Sequence, residues 1–317
     1  MGLFLLKRAA LLLATLLAAS AVVFGVLEVL PGNAAQLLMG PDATPDAVRA
    51  LTHKLGLDRP QLDRYGEWLL GMLHGQLGNS YAYGTPVAEL VGERMGLTLP
   101  LALLAMLLAT VLALAAGLFA AARPHRASGW GVMLLSQLGM ALPSFWFAIL
   151  LILLFSVQLH WFAAGGFPGW GAGAGPALKA LVLPTLALAL VQAAILARIT
   201  RSAVLEVAQE DFVRTARAKG LSPSAALWRH VLRNAMVPIV TVMGMQFANL
   251  LAGTIVVETV FYLPGLGRLI FQSIANRDLI VVRNCVMLLV AMVVLVSFVV
   301  DLLCAAIDPR LRDRLPA

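Results

Sequence analysis

The sequence predicts an all-α polytopic membrane protein with six transmembrane helices and both termini in the cytoplasm. Three observations predict it. The 317 residues are 61% hydrophobic and only 12% charged, with mean hydropathy +0.89, whereas soluble domains carry about 25% charge. Six stretches lack Asp, Glu, Lys and Arg over a length close to the ~20 residues that cross ~30 Å of hydrocarbon. Basic residues are unevenly placed. With six crossings, one side holds 14 of them against five acids, and the other holds nine against a nearly equal number of acids. The excess of Lys and Arg marks the cytoplasmic side.

The first span is read at about 9–30. Lys7-Arg8 before an apolar run, with Ala19-Ser20-Ala21 inside it, has the outline of a cleaved signal peptide. The run continues through Val22–Leu27, so a retained helix is the favoured reading. Further spans fall at about 97–121, 131–158, 179–199, 236–258 and 283–305. Ala127 to Leu178 is free of charge for 52 residues, but its second part, from Gly165 to Pro176, is too rich in Gly and Pro for a helix. It is read as an extracytoplasmic loop. Glu28, Glu258 and Asp301 lie near span ends, where a charge costs less than the ~3 kcal/mol it costs at the centre. Pro143 and Pro184 lie within spans and predict kinks.

Residues 31–94 form a long extracytoplasmic segment. Thr44-Pro45 and Thr85-Pro86 each place a hydroxyl before a proline, the pattern of a capped helix start. Val48, Leu51 and Leu55 share one helical face, and Leu62, Tyr65, Leu69 and Leu73 share another. Such amphipathic helices suit packing at the membrane interface, or docking of an extracytoplasmic partner.

Residues 200–235 form the most informative loop. A helix is expected from Thr200, with Val204, Ala208 and Phe212 on one face and a Glu210–Arg214 pair on another. Gly220 breaks it, and Ser222-Pro223 starts a second helix bearing Leu221, Ala225, Trp228 and Leu232 on one face. Connections between packed helices commonly take about 2–8 residues; this loop is far longer and locally ordered. It reads as a protein-docking elbow, or as an amphipathic hairpin on anionic lipid.

Net charge +7 and a pI near 10 would suggest nucleic acid on a soluble protein, but here they reflect the loops, and no nucleic-acid partner is expected. Cys285 and Cys304 offer no disulfide framework. The chain has no Gly-x4-Gly-Lys-Ser/Thr phosphate loop, no His-Glu-x-x-His and no Gly-x-Ser-x-Gly. The five His are scattered. No catalytic residue, no metal site and no cofactor on this chain are therefore expected.

The run Asp211-Phe212-Val213-Arg214-Thr215-Ala216-Arg217-Ala218-Lys219-Gly220-Leu221-Ser222 resembles the coupling loop of ABC-importer permeases, and within them the peptide/nickel (dipeptide and oligopeptide) family. The wider class shows Glu-Ala-Ala, three residues, Gly and a later Leu-Pro. Here those positions are Arg214, Thr215, Ala216, Gly220 and Leu232-Arg233, the form that the peptide permeases carry. Leu30-Pro31-Gly32, Leu55–Pro60, Leu77-Gly78-Asn79-Ser80, Pro143-Ser144-Phe145-Trp146, Val257–Phe261 with Pro264–Gly267, and Asp308-Pro309-Arg310 extend the resemblance over nearly the whole chain.

The resemblance implies an ABC-importer permease fold in the bacterial inner membrane. It implies a second homologous permease subunit, two ATPase subunits that carry ATP and Mg2+, an extracytoplasmic solute-binding protein, and membrane lipid around the assembly. Asp211, Arg214, Thr215, Ala216, Arg217, Lys219, Gly220, Leu221, Leu232 and Arg233 then form the ATPase-coupling loop, with Ala216 and Gly220 allowing close approach. The implied cargo is a di- or oligopeptide, with nickel complexes and glutathione as alternatives. Among residues within spans, Gln192, Gln246, Asn249 and Glu258 are candidates for the translocation path, or for hydrogen bonds between helices. An ion-coupled secondary carrier would need ionisable pairs at the membrane midplane, and the sequence offers no central acid.

Overall fold

The computed structural model describes residues 2–29, 34–40, 43–54 and 56–307. Leu30-Pro31-Gly32, Leu55 and Asp308-Pro309-Arg310, all used in the sequence reading, lie outside the described residues. Regular structure among the described residues is helical apart from one antiparallel bridge, Asn79–Pro86. The helices in order are α1 (Gly2–Val29), α2 (Ala34–Met39), α3 (Pro45–Lys54), α4 (Gln61–Leu73), α5 (Val87–Ala122), α6 (Ala127–Ala141) and α7 (Ser144–Gln158). They continue with α8 (Ala174–Ala208), α9 (Asp211–Ala218), α10 (Pro223–Val260), α11 (Leu266–Ala275) and α12 (Leu279–Ile307).

Five of these, α1, α5, α8, α10 and α12, are long and apolar enough to cross a membrane, and α6 with α7 makes a sixth candidate bent by 101°. The stretch read as a single crossing at 131–158 is thus broken rather than kinked. The cause is Pro143. It lacks an N–H and its ring excludes the α region for the residue before it, so Leu142 is extended (φ −95, ψ 127) and α7 starts afresh. Pro184 sits inside the continuous α8. Pro238 likewise sits inside α10, which starts fifteen residues earlier, at Pro223. The 36 residues of α5 rise about 54 Å, well beyond the apolar stretch. Its first turns carry Glu89, Glu93 and Arg94, and bury Val87 and Val91.

The chain divides into two compact units. One is built from Leu99–Leu263 with the far ends of α1 and α12. Its core includes Ala113, Ala121, Leu196, Ala197, Val204, Val213, Val231 and Ile239. Small residues bring α5 and α8 together: a Cβ added to Gly117 would lie 2.6 Å from the Thr200 Cβ. In lipid, association of helices rests on such close packing, since burial from water is not available as a driving force. Arg8 Nη1 donates to Asp301 Oδ2 at 2.6 Å, which pairs one of the three charges flagged at span ends. Glu258 is wholly buried.

The other unit comprises Ala9–Thr98 and Pro264–Val294. Trp68 Nε1 donates to Asn284 Oδ1 at 2.9 Å, and Asn284 Nδ2 donates to the Leu77 carbonyl at 2.8 Å. Ser80 Oγ and the Ala82 N–H both donate to Asp278 Oδ2, at 2.5 and 3.1 Å. Leu266 N–H donates to Thr98 Oγ1 at 2.8 Å. Glu28 pairs with Arg64 at 2.5 Å. The apolar face expected on α4 is only partly used: Leu62 and Leu73 are exposed, while Trp68, absent from that face, is buried against Phe24 and Met287. The Thr44 hydroxyl accepts from the Ala47 N–H at 3.4 Å. Thr85 caps nothing; its buried Oγ1 has no hydrogen-bond partner.

Candidate functional site

The candidate coupling elbow lies between α8 and α10. Sequence reading ran one helix from Thr200 to Gly220. The structure stops α8 at Ala208 and begins α9 at Asp211, with Glu210 extended (φ −65, ψ 146). Two non-helical residues change the helical phase. Val213 therefore takes the buried position, 3% exposed, and Phe212 turns outward. The expected Glu210–Arg214 pair gives way for the same reason to Arg214–Asp211 at 3.5 Å, with both groups exposed.

The end of α9 is closed by its own backbone. Gly220 N–H donates to the Arg217 carbonyl at 3.0 Å and Leu221 N–H to the Ala216 carbonyl at 3.3 Å. This is the paired bonding of a Schellman motif, which requires a left-handed residue. Gly220 supplies it at φ +96. A Cβ added there would meet nothing within 4 Å, so conformation, not close approach within this chain, explains the glycine. Ser222 Oγ then accepts from the Ala225 N–H at 3.2 Å, with Pro223 as the first helical residue. Asp211 in the first turn and Arg217 in the last complement the helix dipole.

The outcome is a hook whose turn is closed by local hydrogen bonds, with its polar side chains left over. Arg214, Thr215, Arg217 and Lys219 are exposed, Ala216 is half-buried, and Leu221 packs at the edge of the core. Phe212 and Trp228 are also exposed, at 45% and 61%. Leu232, half-buried, and Arg233, exposed, lie inside α10 rather than at a helix end. Aromatic and Arg side chains of this kind are enriched at protein-docking surfaces.

The candidate path residues separate in space. Gln192 and Asn249 line a cavity of about 400 Å³, walled by the Met140–Ser144 break together with Val191, Ile195 and Gly253. Gln246 lies behind them. Its backbone carbonyl accepts from Gln192 Nε2 at 3.4 Å, and its Oε1 accepts from Asn249 Nδ2 at 3.3 Å. Both bonds are long, near the limit of useful geometry, so a polar solute could replace them at small cost. Glu258 is not among the residues that wall this cavity. Ser144 and the Leu142–Pro143 break, which sequence reading did not assign to a path, share the wall with the two amides; Pro143 was the signal that could have found them. Asp278, Arg283 and Asn284 lie outside the set the sequence predicts, although Asp278 and Arg283 are charges flanking the last apolar stretch. Among the described residues no three His, Cys, Asp or Glu side chains are grouped to hold a metal ion, and Cys285 and Cys304 are free and buried.

Comparison of the sequence with known proteins gives this chain a family. Residues 113–313 match the model of the binding-protein-dependent transport system inner membrane component, and residues 1–102 match its N-terminal counterpart. A Brucella abortus protein, whose name assigns it to a peptide transport system as permease, is 40% identical over 315 residues, 97% of this chain and 98% of its own. The glutathione transport system permease protein of Escherichia coli is 38% identical over 309 residues, 98% of each chain. The di/tripeptide transport system permease protein of Pseudomonas aeruginosa is 36% identical over 332 residues, 98% of this chain and 99% of its own. A crystal structure of an amino acid ABC transporter with histidines aligns with TM-score 0.48 and 19% identity, over 70% of this chain and 94% of that one. The broken span, the short helices before α5 and the hook between α8 and α10 thus belong to a multi-pass inner-membrane protein that transports rather than catalyses: the chain is a member of the binding-protein-dependent transport system inner membrane component family, a permease of an ABC importer.

Proposed function

We propose that this chain forms one half of the translocation path of an importer for di- or oligopeptides. The other half is a second, homologous permease subunit. Two ATPase subunits, which hold ATP and Mg2+, grip the two permeases from the cytoplasm, and an extracytoplasmic solute-binding protein delivers the cargo. In this reading residues 31–94 lie outside, residues 200–235 lie in the cytoplasm, and this chain contributes no catalytic group and binds no cofactor of its own.

The observation that carries the reading is the elbow. Its backbone is closed by Gly220 and Ser222, its root is fixed by Val213, and Arg214, Thr215, Arg217 and Lys219 point away from the core. An ATPase that binds this hook in one orientation and releases it in another can shift the spans, because a partner moves a conformational equilibrium only by preferring one of its states. Gln192 and Asn249, on the cavity beside the Pro143 break, are the polar contacts offered to solute; Gln246 braces them, and Glu258 stays within the helix packing. Relatives named for di/tripeptides and for glutathione, itself a tripeptide, support a short peptide as cargo. The test is uptake by the assembled importer in proteoliposomes. ATP inside the vesicles should drive dipeptide entry. Entry with this chain alone under a proton or sodium gradient would contradict the reading.

A further inference from the structure

A second cavity, in the unit of Ala9–Thr98 and Pro264–Val294, has a volume of about 300 Å³ and takes no part in the coupling elbow or the Gln192 cavity. Three arginines and two glutamates line it. Arg64 pairs with Glu28 at 2.5 Å and Arg59 with Glu67 at 2.7 Å. That leaves Arg283. No carboxylate among the described residues pairs with it, and its Nε is buried without an acceptor. Its guanidinium lies over two aromatic rings, 4.8 Å from the Trp68 centroid and 5.4 Å from that of Phe24. Asn284, the next residue, anchors Trp68 through its hydrogen bond, so the ring that carries the guanidinium is held in place.

Arg283 is half-buried with its Nε out of water; a cation held there without a paired anion is costly, and a cavity wall is where that cost is met by a ligand. The Arg283 fork suits a planar oxyanion that accepts two parallel N–H bonds. Tyr81 also lines the cavity. Burial pushes its phenol above the ordinary value of 10.0, and Arg283 opposes this, so Tyr81 faces the cavity as a neutral O–H donor. The walls at Leu27, Leu57 and Ile280 are apolar. The space could hold about ten waters, or one amino-acid residue with its terminal group.

We propose that this cavity binds the free carboxylate of a short peptide, with Arg283 as its cationic partner, Tyr81 as a further donor and Trp68 as the platform behind. This rests on the peptide reading and extends it: the chain would distinguish cargo that ends in a carboxylate from cargo that does not.

The test uses the assembled importer, without its binding protein, in phosphatidylcholine nanodiscs. Binding of alanyl-alanine is compared with that of its C-terminal amide by calorimetry. The free acid should bind more than about tenfold tighter than the amide, and Arg283→Met should abolish that preference while Arg283→Lys keeps part of it. The acid–amide comparison on the unaltered protein requires no variant to fold. Equal affinity for acid and amide would overturn the proposal, as would an undiminished preference in Arg283→Met. Phosphatidylglycerol that copurifies with the unaltered importer but not with Arg283→Met, with no acid–amide preference, would make this a lipid site and also overturn it. ATP-driven alanyl-alanine uptake with the binding protein present separates the two levels. Uptake without the preference removes this site alone, and no uptake removes the peptide reading as well.

Discussion

The elbow at 209–222 and the segment at 56–98 are both polar stretches between apolar helices, yet they satisfy their polar groups in opposite ways. The elbow closes every bond locally: Gly220 to Arg217, Leu221 to Ala216, Ala225 to Ser222. Its long side chains are left over and face outward. The other segment bonds across great sequence distances, with Trp68 reaching Asn284, 216 residues away, and Ser80 reaching Asp278, 198 away. Local closure makes a part that can be gripped and moved without rearrangement. Remote closure makes a frame whose pieces hold one another still. On the proposed coupling, motion would enter at the elbow and be resisted by the frame.

That contrast can be broken by substitution. The largest expected effect is in the frame. Asp278 is 1% exposed and accepts from Ser80 Oγ and from the Ala82 and Val281 N–H groups. Asp278→Ala strands these donors and should cost about 3 kcal/mol, seen as a lower unfolding temperature in detergent and poor assembly. A wild-type melting curve would show that the frame does not depend on this carboxylate. Next comes Val213, the root of the elbow. Val213→Ala should cost about 2 kcal/mol, with faster amide exchange confined to 211–222; exchange spread through the spans would mean that the elbow is not a separate unit.

Gly220→Ala probes the hook itself. An L-residue at φ +96 costs roughly 1–2 kcal/mol, and transport should fall more than stability does. Gly220→Trp, with the same strain and a bulky side chain, should insert normally but abolish ATPase capture; normal copurification of the ATPases would count against the hook. The smallest stability effect belongs to Arg214→Ala. Its exposed pair with Asp211 is worth at most about 0.5 kcal/mol, so unfolding should barely move while affinity for the ATPases drops. An unchanged affinity would remove Arg214 from the contact.

The legible part of the molecule was its punctuation. The apolar runs located the long helices, Gly220 and Ser222-Pro223 marked the turn of the elbow, and Pro143 marked the weak point of the third apolar stretch. What stayed hidden depends on the third dimension. Gln209-Glu210 are good helix formers, and nothing local stops α8 there. The stop lets Val213 reach the core, a preference that only packing expresses. Trp68, Asp278 and Asn284 find their partners about 200 residues away, beyond any periodicity. Gln192 and Asn249 were visible as polar residues in spans, but their separation from Glu258 required the cavity. The charge balance that singles out Arg283 could be read only after its neighbours had paired with one another.

The central claim is that the α9 hook is the surface gripped by the ATPases, and one cysteine tests it. Cys285 and Cys304 are buried, whereas Thr215 is exposed on α9, so Thr215→Cys adds a single accessible thiol. In the assembled importer that thiol should be shielded from maleimide and should crosslink to an ATPase subunit. If it labels equally fast with and without the ATPases and crosslinks to neither, the hook is not the coupling site.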